Sequence, residues 1–219
     1  MFTPLRKTSL HELFNKPVLF DANILMVGID ERLSNKNCSF ESMKEAYIVP
    51  LFESFTDMYI HNKVYRELDK DSKGLVDKYV GRSVTIVDEN GLYGKDPKYT
   101  TIFNNIANHE LVRYTRGQSK DSGEVYSLAY AAYHDMNYFC SREIMVDNVA
   151  WELQDLKNID IITFDIILLT AYVFYAKKED NTHSKGLKAM YKKYCVDVIK
   201  RHGLPATFGE YIRKSANYL

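Results

Sequence analysis

Five short apolar runs, separated by stretches of helical periodicity, constrain this chain more than any other feature. They are residues 17–21 (PVLFD), 58–61 (MYIH), 83–88 (SVTIVD), 137–141 (NYFCS) and 159–163 (IDIIT). Between them, residues 41–55, 62–79, 121–134 and 146–156 place apolar side chains three and four apart, as amphipathic helices do. Strands that read as unbroken apolar runs are buried on both faces. Alternating with helices, they predict a parallel sheet covered on each side. The expected fold is therefore α/β, a three-layer α/β/α arrangement around a central, mainly parallel five-stranded sheet, with added C-terminal helices. Such sheets bind ligands at the carboxyl ends of their strands, so the chemistry is sought there.

The apolar stretch 159–176 carries Asp160 and Asp165 and is short for a membrane span, so it reads as a strand followed by a core helix over residues 164–178. Residues 1–178 are expected to form the main domain and 179–219 a helical extension. In that extension Leu187, Tyr191, Tyr194 and Val198 make an apolar face, with Lys185, Lys188 and Lys192 beside it. The three cysteines, Cys38, Cys140 and Cys195, show no paired spacing. With no apolar leader and no membrane span, they predict free thiols in a cytoplasmic protein.

Charge narrows the partners. Lys plus Arg and Asp plus Glu both number 29, so the chain carries no overall positive field for nucleic acid. Residues 176–219 hold ten Lys/Arg against four Asp/Glu, which leaves the first 175 residues net acidic. An acidic body approaches a polyanion only with a cation or a partner between them.

Carboxylates at the ends of apolar runs are the main candidates. Asp21 closes the first run and precedes Asn23, which supplies a neutral oxygen or a donor. Glu67 lies in VYREL, read as the opening of the second helix. Asp121 and Glu124 flank Ser122-Gly123 before VYSLAYA, where Asp121 can cap the helix with Glu124 as its partner. Glu143 follows the fourth run with Ser141 two residues before it. The six histidines form no H-x-x-x-H pair, so zinc is not expected, and His61 and His134 read as structural. The GLYGK segment lacks the spacing of a phosphate loop. Trp151 reads as a core residue and Cys140 as a small buried hydrophobe.

The order of these pieces resembles the PIN-domain nuclease family. That family runs strand–D-x-N, long helix, short strand, V-x-x-E-L, a G-E helix, then a strand ending T-x-D. This chain has FDANILM, VYREL, DSGEVYSLAYA and CSREIM in that order, over roughly residues 17–175. The resemblance implies a catalytic quartet of Asp21, Glu67, Glu124 and Glu143, with Asp121 as an alternate third acid and Asn23 and Ser141 orienting. Asp21, Glu124, Glu143 and Asp121 would hold one or two Mg²⁺ or Mn²⁺ ions, whose charge relieves the repulsion among converging acids. Lys63, Arg66, Arg142, Lys188 and Lys192 are the candidate phosphate contacts. At the fourth motif S-R-E stands where T-x-D is usual. The segments 28–47 and 91–120 are long for the family and read as lids, substrate-binding additions or oligomer contacts.

The resemblance implies an endoribonuclease, with RNA as substrate, in some relatives the toxin of a toxin–antitoxin or defence system held by an inhibitory antitoxin. A homo-oligomer is a further expectation. Two other readings compete: an idle PIN-like scaffold that binds nucleic acid or protein, and an α/β regulatory domain phosphorylated at Asp21. The last lacks a second acid beside Asp21 and a fitting Lys after the fourth strand.

Overall fold

The computed structural model describes residues 13–26, 41, 44–116, 123–179, 183–196, 199–200 and 203–215. The chain begins with β1 (Val18–Phe20) and a single-turn helix α1 (Ala22–Leu25). A π-helical turn over Lys44–Ile48 runs into α2 (Val49–Ser54). Next come β2 (Met58–His61), α3 (Asn62–Glu67), α4 (Lys70–Tyr79) and β3 (Val84–Val87). Helices α5 (Pro97–Ala107), α6 (Glu110–Arg116) and α7 (Gly123–Tyr133) precede β4 (Tyr138–Cys140). The order closes with α8 (Ile144–Glu152), β5 (Asp160–Ile162), α9 (Phe164–Lys177), α10 (Ser184–Tyr194) and α11 (Phe208–Ser215).

Every expected apolar run contains one of the five strands. They form one all-parallel sheet in the order β3-β2-β1-β4-β5, flanked by helices, so the molecule is α/β as expected. β1 lies at the centre: Val18 is in register with Met58 and Tyr138, and Phe20 with Ile60 and Cys140. Both β1 and β4 are wholly buried, which is why their runs contain no polar alternation. The strand order reverses direction between β1 and β4. That is the point in an open parallel sheet where a crevice opens beyond the carboxyl ends of the strands.

Several local expectations change. The predicted helix over 62–79 is two helices, because Leu68 is extended (ψ 142°) and the Asp69 carboxylate accepts from the Asp71 and Ser72 amides to start α4. Glu67 therefore closes α3 and does not open a helix. Segment 91–120 contributes to the core through one face of α5, which buries Tyr99, Ile102, Phe103 and Ile106 and packs on α7. Of segment 28–47, only residues 41 and 44–47 are among those described. Trp151 is a correction of a different kind. Helix α8 turns Val146, Val149 and Ala150 inward, so Trp151 is left 71% exposed.

The chain falls into two compact units. One gathers the described residues of Pro17–Met26 and Asp57–Ile162, which include the whole sheet, α1 and α3 to α8. The other gathers those of Met1–Lys16, Val27–Thr56 and Thr163–Leu219 and is helical. The expected boundary after residue 178 does not coincide with this division, since α10 and α11 group with α2 and α9. In the helical unit Ile166, Ile167, Leu168 and Leu169 of α9 are all buried, and Phe164 meets Tyr47 edge-on at 4.9 Å. Gly186 lets α10 approach the π-helical turn, where a Cβ would stand 2.9 Å from the Ala46 Cα. Among the described residues no helix is long and apolar enough to cross a membrane.

Candidate functional site

The apolar pull that buries β1 carries the next residue, Asp21, into the sheet's rim at 1% exposure. Its amide still follows the ladder, donating to the Cys140 carbonyl at 3.0 Å. Its carboxylate is fixed from two directions: Oδ1 accepts from the Ala22 amide at 2.7 Å, and Oδ2 accepts from the Ser141 hydroxyl at 3.1 Å. Ser141, just past β4, is 1% exposed and is itself held, its Oγ accepting from Asn23 Nδ2 (3.3 Å) and from the Glu143 amide (3.1 Å). Asn23 completes the loop by accepting the Arg142 amide at 3.1 Å. Asp21, Asn23 and Ser141 thus clip the carboxyl ends of β1 and β4 together where the strand order reverses.

Two more acids reach this point. Burial, and then the charges of Glu124 and Glu67, push the Asp21 carboxyl well above the ordinary carboxylate range, against the lowering effect of its bonds to Ala22 and Ser141. Glu124, half-buried, comes from the first turn of α7. Glu67 comes from the last turn of α3 and lies across Gly123, its Oε1 only 2.7 Å from where a Cβ would stand. Gly123 is a site residue that the motifs alone do not single out. Its one signal was a Gly in the first turn of a helix, where Ala or an acid is more stable.

Not every candidate joins the cluster. Glu143 contributes its amide to Ser141; its side chain, like that of Glu67, is exposed, but the charges acting on Asp21 are those of Glu124 and Glu67. Asp121 lies outside the described residues. Among the described residues no three His, Cys, Asp or Glu side chains stand together as a ready grip for a metal ion. The chemistry of the donors suits a hard divalent cation, because all are carboxylate oxygens and one is buried at a cost that positive charge would offset.

The basic candidates divide in the same way. Lys63 is half-buried, with Nζ 4.9 Å above the Tyr126 ring of α7. Arg66 is exposed, and Arg142 is half-buried beside the clip. Lys188 and Lys192 are exposed on α10 in the helical unit. The Thr-x-Asp after β5 is committed elsewhere: Asp165 is buried and accepts from the Thr163 hydroxyl (2.7 Å) and the Tyr211 hydroxyl (2.6 Å). Cys140 and Cys195 are both buried, and burial together with Asp21 pushes the Cys140 thiol well up, away from reactivity. Cys38 lies outside the described residues.

No family model, curated protein or solved structure matches the chain.

Proposed function

We propose that this protein is a metal-dependent phosphodiesterase of the PIN-like kind, cutting RNA at the Asp21 rim with Mg²⁺ or Mn²⁺. The observation that carries the reading is a buried Asp21, at the reversal point of a parallel sheet, whose ionisation Glu124 and Glu67 oppose. A fold has little structural reason to bury an acid among acids, and perturbed acids in a cleft mark functional sites. When bound, a divalent ion would supply the charge that lets these carboxylates ionise together and the Lewis acidity to activate a water toward phosphorus.

The chain's own residues divide the work. Asp21, immobilised by Ala22 and Ser141, is the fixed ligand. Glu124 and Glu67 bring adjustable carboxylates from two helix ends, and Asp121 and Glu143 remain further ligands in this proposal. Asn23 and Ser141 set the direction of the Asp21 oxygens. Lys63 and Arg142 stand on the elements that frame the rim and would meet phosphate oxygens, with Arg66 as an outer contact. A small inhibitory protein would act by covering this rim, and buried thiols fit a reducing cytoplasm.

The test is cleavage of mixed-sequence RNA by the purified protein with Mn²⁺ or Mg²⁺. Cleavage is expected, and it is expected to vanish in Asp21→Asn and with a chelator. A second reading, an idle scaffold that binds nucleic acid or protein, is favoured by the outward Glu143 and the lack of a ready three-ligand group among the described residues. RNA bound but left uncut under every metal would select it.

A further inference from the structure

We infer that His61 is a positioning residue that couples the two acid-bearing helices, α3 and α7, through one fixed tautomer of its ring. The functional consequence rests on the reading of the Asp21 rim given above. The coupling itself stands on geometry. His61 ends β2, is fully buried, and is the N-cap of α3: its Nδ1 accepts the Lys63 amide at 3.1 Å. A ring nitrogen that accepts carries no proton, so the neutral ring bears its hydrogen on Nε2. Nε2 lies 3.2 Å from Oε2 of Glu89, just beyond β3, at ion-pair distance but without the alignment of a full hydrogen bond. Glu89 therefore biases the tautomer by its charge.

The same ring reaches α7. It stacks on Tyr126 (centroids 5.7 Å, 27°) and meets Tyr130 edge-on at 6.0 Å, while Lys63 Nζ also lies over the Tyr126 ring at 4.9 Å. Tyr126 is two residues beyond Glu124, and Glu67 closes the short helix that His61 opens. One imidazole thus sets the start of α3 and the seat of α7, the two elements that deliver Glu67 and Glu124 beside Asp21. The charged and titratable groups around it are Glu89 and Asp88 after β3, Lys63 on α3, and Tyr126 and Tyr130 on α7. Burial outweighs Glu89 and Asp88 and holds His61 below its ordinary value, so the ring is neutral at pH 7. Protonation would fill Nδ1 and remove the cap.

The experiment uses the full chain, with long-range ¹H–¹⁵N NMR of the imidazole and native-state amide exchange. At pH 7 the Nε2–H tautomer is expected. His61→Leu is expected to speed exchange in α3 and α7 by about tenfold, the loss of one hydrogen bond's worth of protection, with α4 unchanged. His61→Asn, which keeps a capping oxygen but has no ring to stack, is expected to restore α3 alone. As the pH falls through the lowered His61 value, the wild-type Lys63 amide is expected to lose protection, corrected for intrinsic rate, and His61→Asn to show no such step. An Nδ1–H tautomer, or exchange in His61→Leu that matches wild type or rises equally in α4, overturns the inference. Mn²⁺ titration is a separate arm: affinity about tenfold weaker in His61→Leu is expected. A wild-type protein that binds no Mn²⁺ defeats the metal reading, whereas the exchange data alone decide the coupling.

Discussion

Gly123 and Asp21 illustrate how single residues trade stability for a site. Gly123 occupies the first turn of α7, where Ala would be more stable by about 0.5–1 kcal/mol. The atom that a Cβ would meet is the tip of the flexible Glu67 side chain, 2.7 Å away, so the clash is relieved by swinging that carboxylate aside. Gly123→Ala is therefore expected to leave the melting temperature level or raise it by a few degrees while lowering cleavage at least tenfold. Calorimetry beside an RNA assay checks both halves; activity equal to wild type would show that Glu67 need not lie there. Ser141 and Asn23 work on the opposite side, spending their hydrogen bonds to hold an acid that burial disfavours.

At the scale of elements, the helices are placed by close approach and by caps more than by propensity. The clearest test is Gly186 on α10. There an added Cβ would press at 2.9 Å on the Ala46 backbone, which has no flexible tip to move. Gly186→Ala is expected to cost about 1–3 kcal/mol by overpacking, even after the gain in helix propensity. Urea unfolding measures this, and a stabilised variant would mean that α10 shifts freely on the π-helical turn. The same logic explains the break at Leu68–Asp69. Periodicity continues from α3 into α4, but the Asp69 carboxylate offers the Asp71 and Ser72 amides a better start. The break leaves Glu67 at a helix end, where its side chain can turn toward the rim.

For the whole molecule, the acid cluster sets a pH dependence with a definite sign. The folded-state value of Asp21 lies above its unfolded value of about 3.8, so the folded chain binds this proton more tightly. The stability this contributes is complete below about pH 3.8 and is lost as the pH rises through the raised value. Relative to Asp21→Asn, the metal-free protein is expected to lose stability across that window, and Mn²⁺ at neutral pH to restore it. At a hundred times the dissociation constant, the restoration is about 2.7 kcal/mol. Thermal melts of both proteins across pH, with and without Mn²⁺, read this directly. Parallel curves for the two would mean that Asp21 titrates as an ordinary surface acid.

Much of this architecture is legible in the amino-acid sequence. β1 and β4 announce themselves as apolar runs because both of their faces are buried, and α9 does so because nearly every residue in it is. Asp21 stood out as a carboxylate carried inward at the end of such a run, with Asn23 and Ser141 near it in the motif order. The order β3-β2-β1-β4-β5 was not legible, because crossovers join residues far apart in the chain and leave no local period. Trp151 was misplaced because a helix's apolar face is chosen by what it packs against, and Val146, Val149 and Ala150 faced the core instead. Local hydrophobicity and periodicity, which act over a few residues, determined the elements and the buried acid. Which acids share one point, that Gly123 must lack a side chain, and that His61 touches both helices depend on distances across the fold, which only tertiary packing decides.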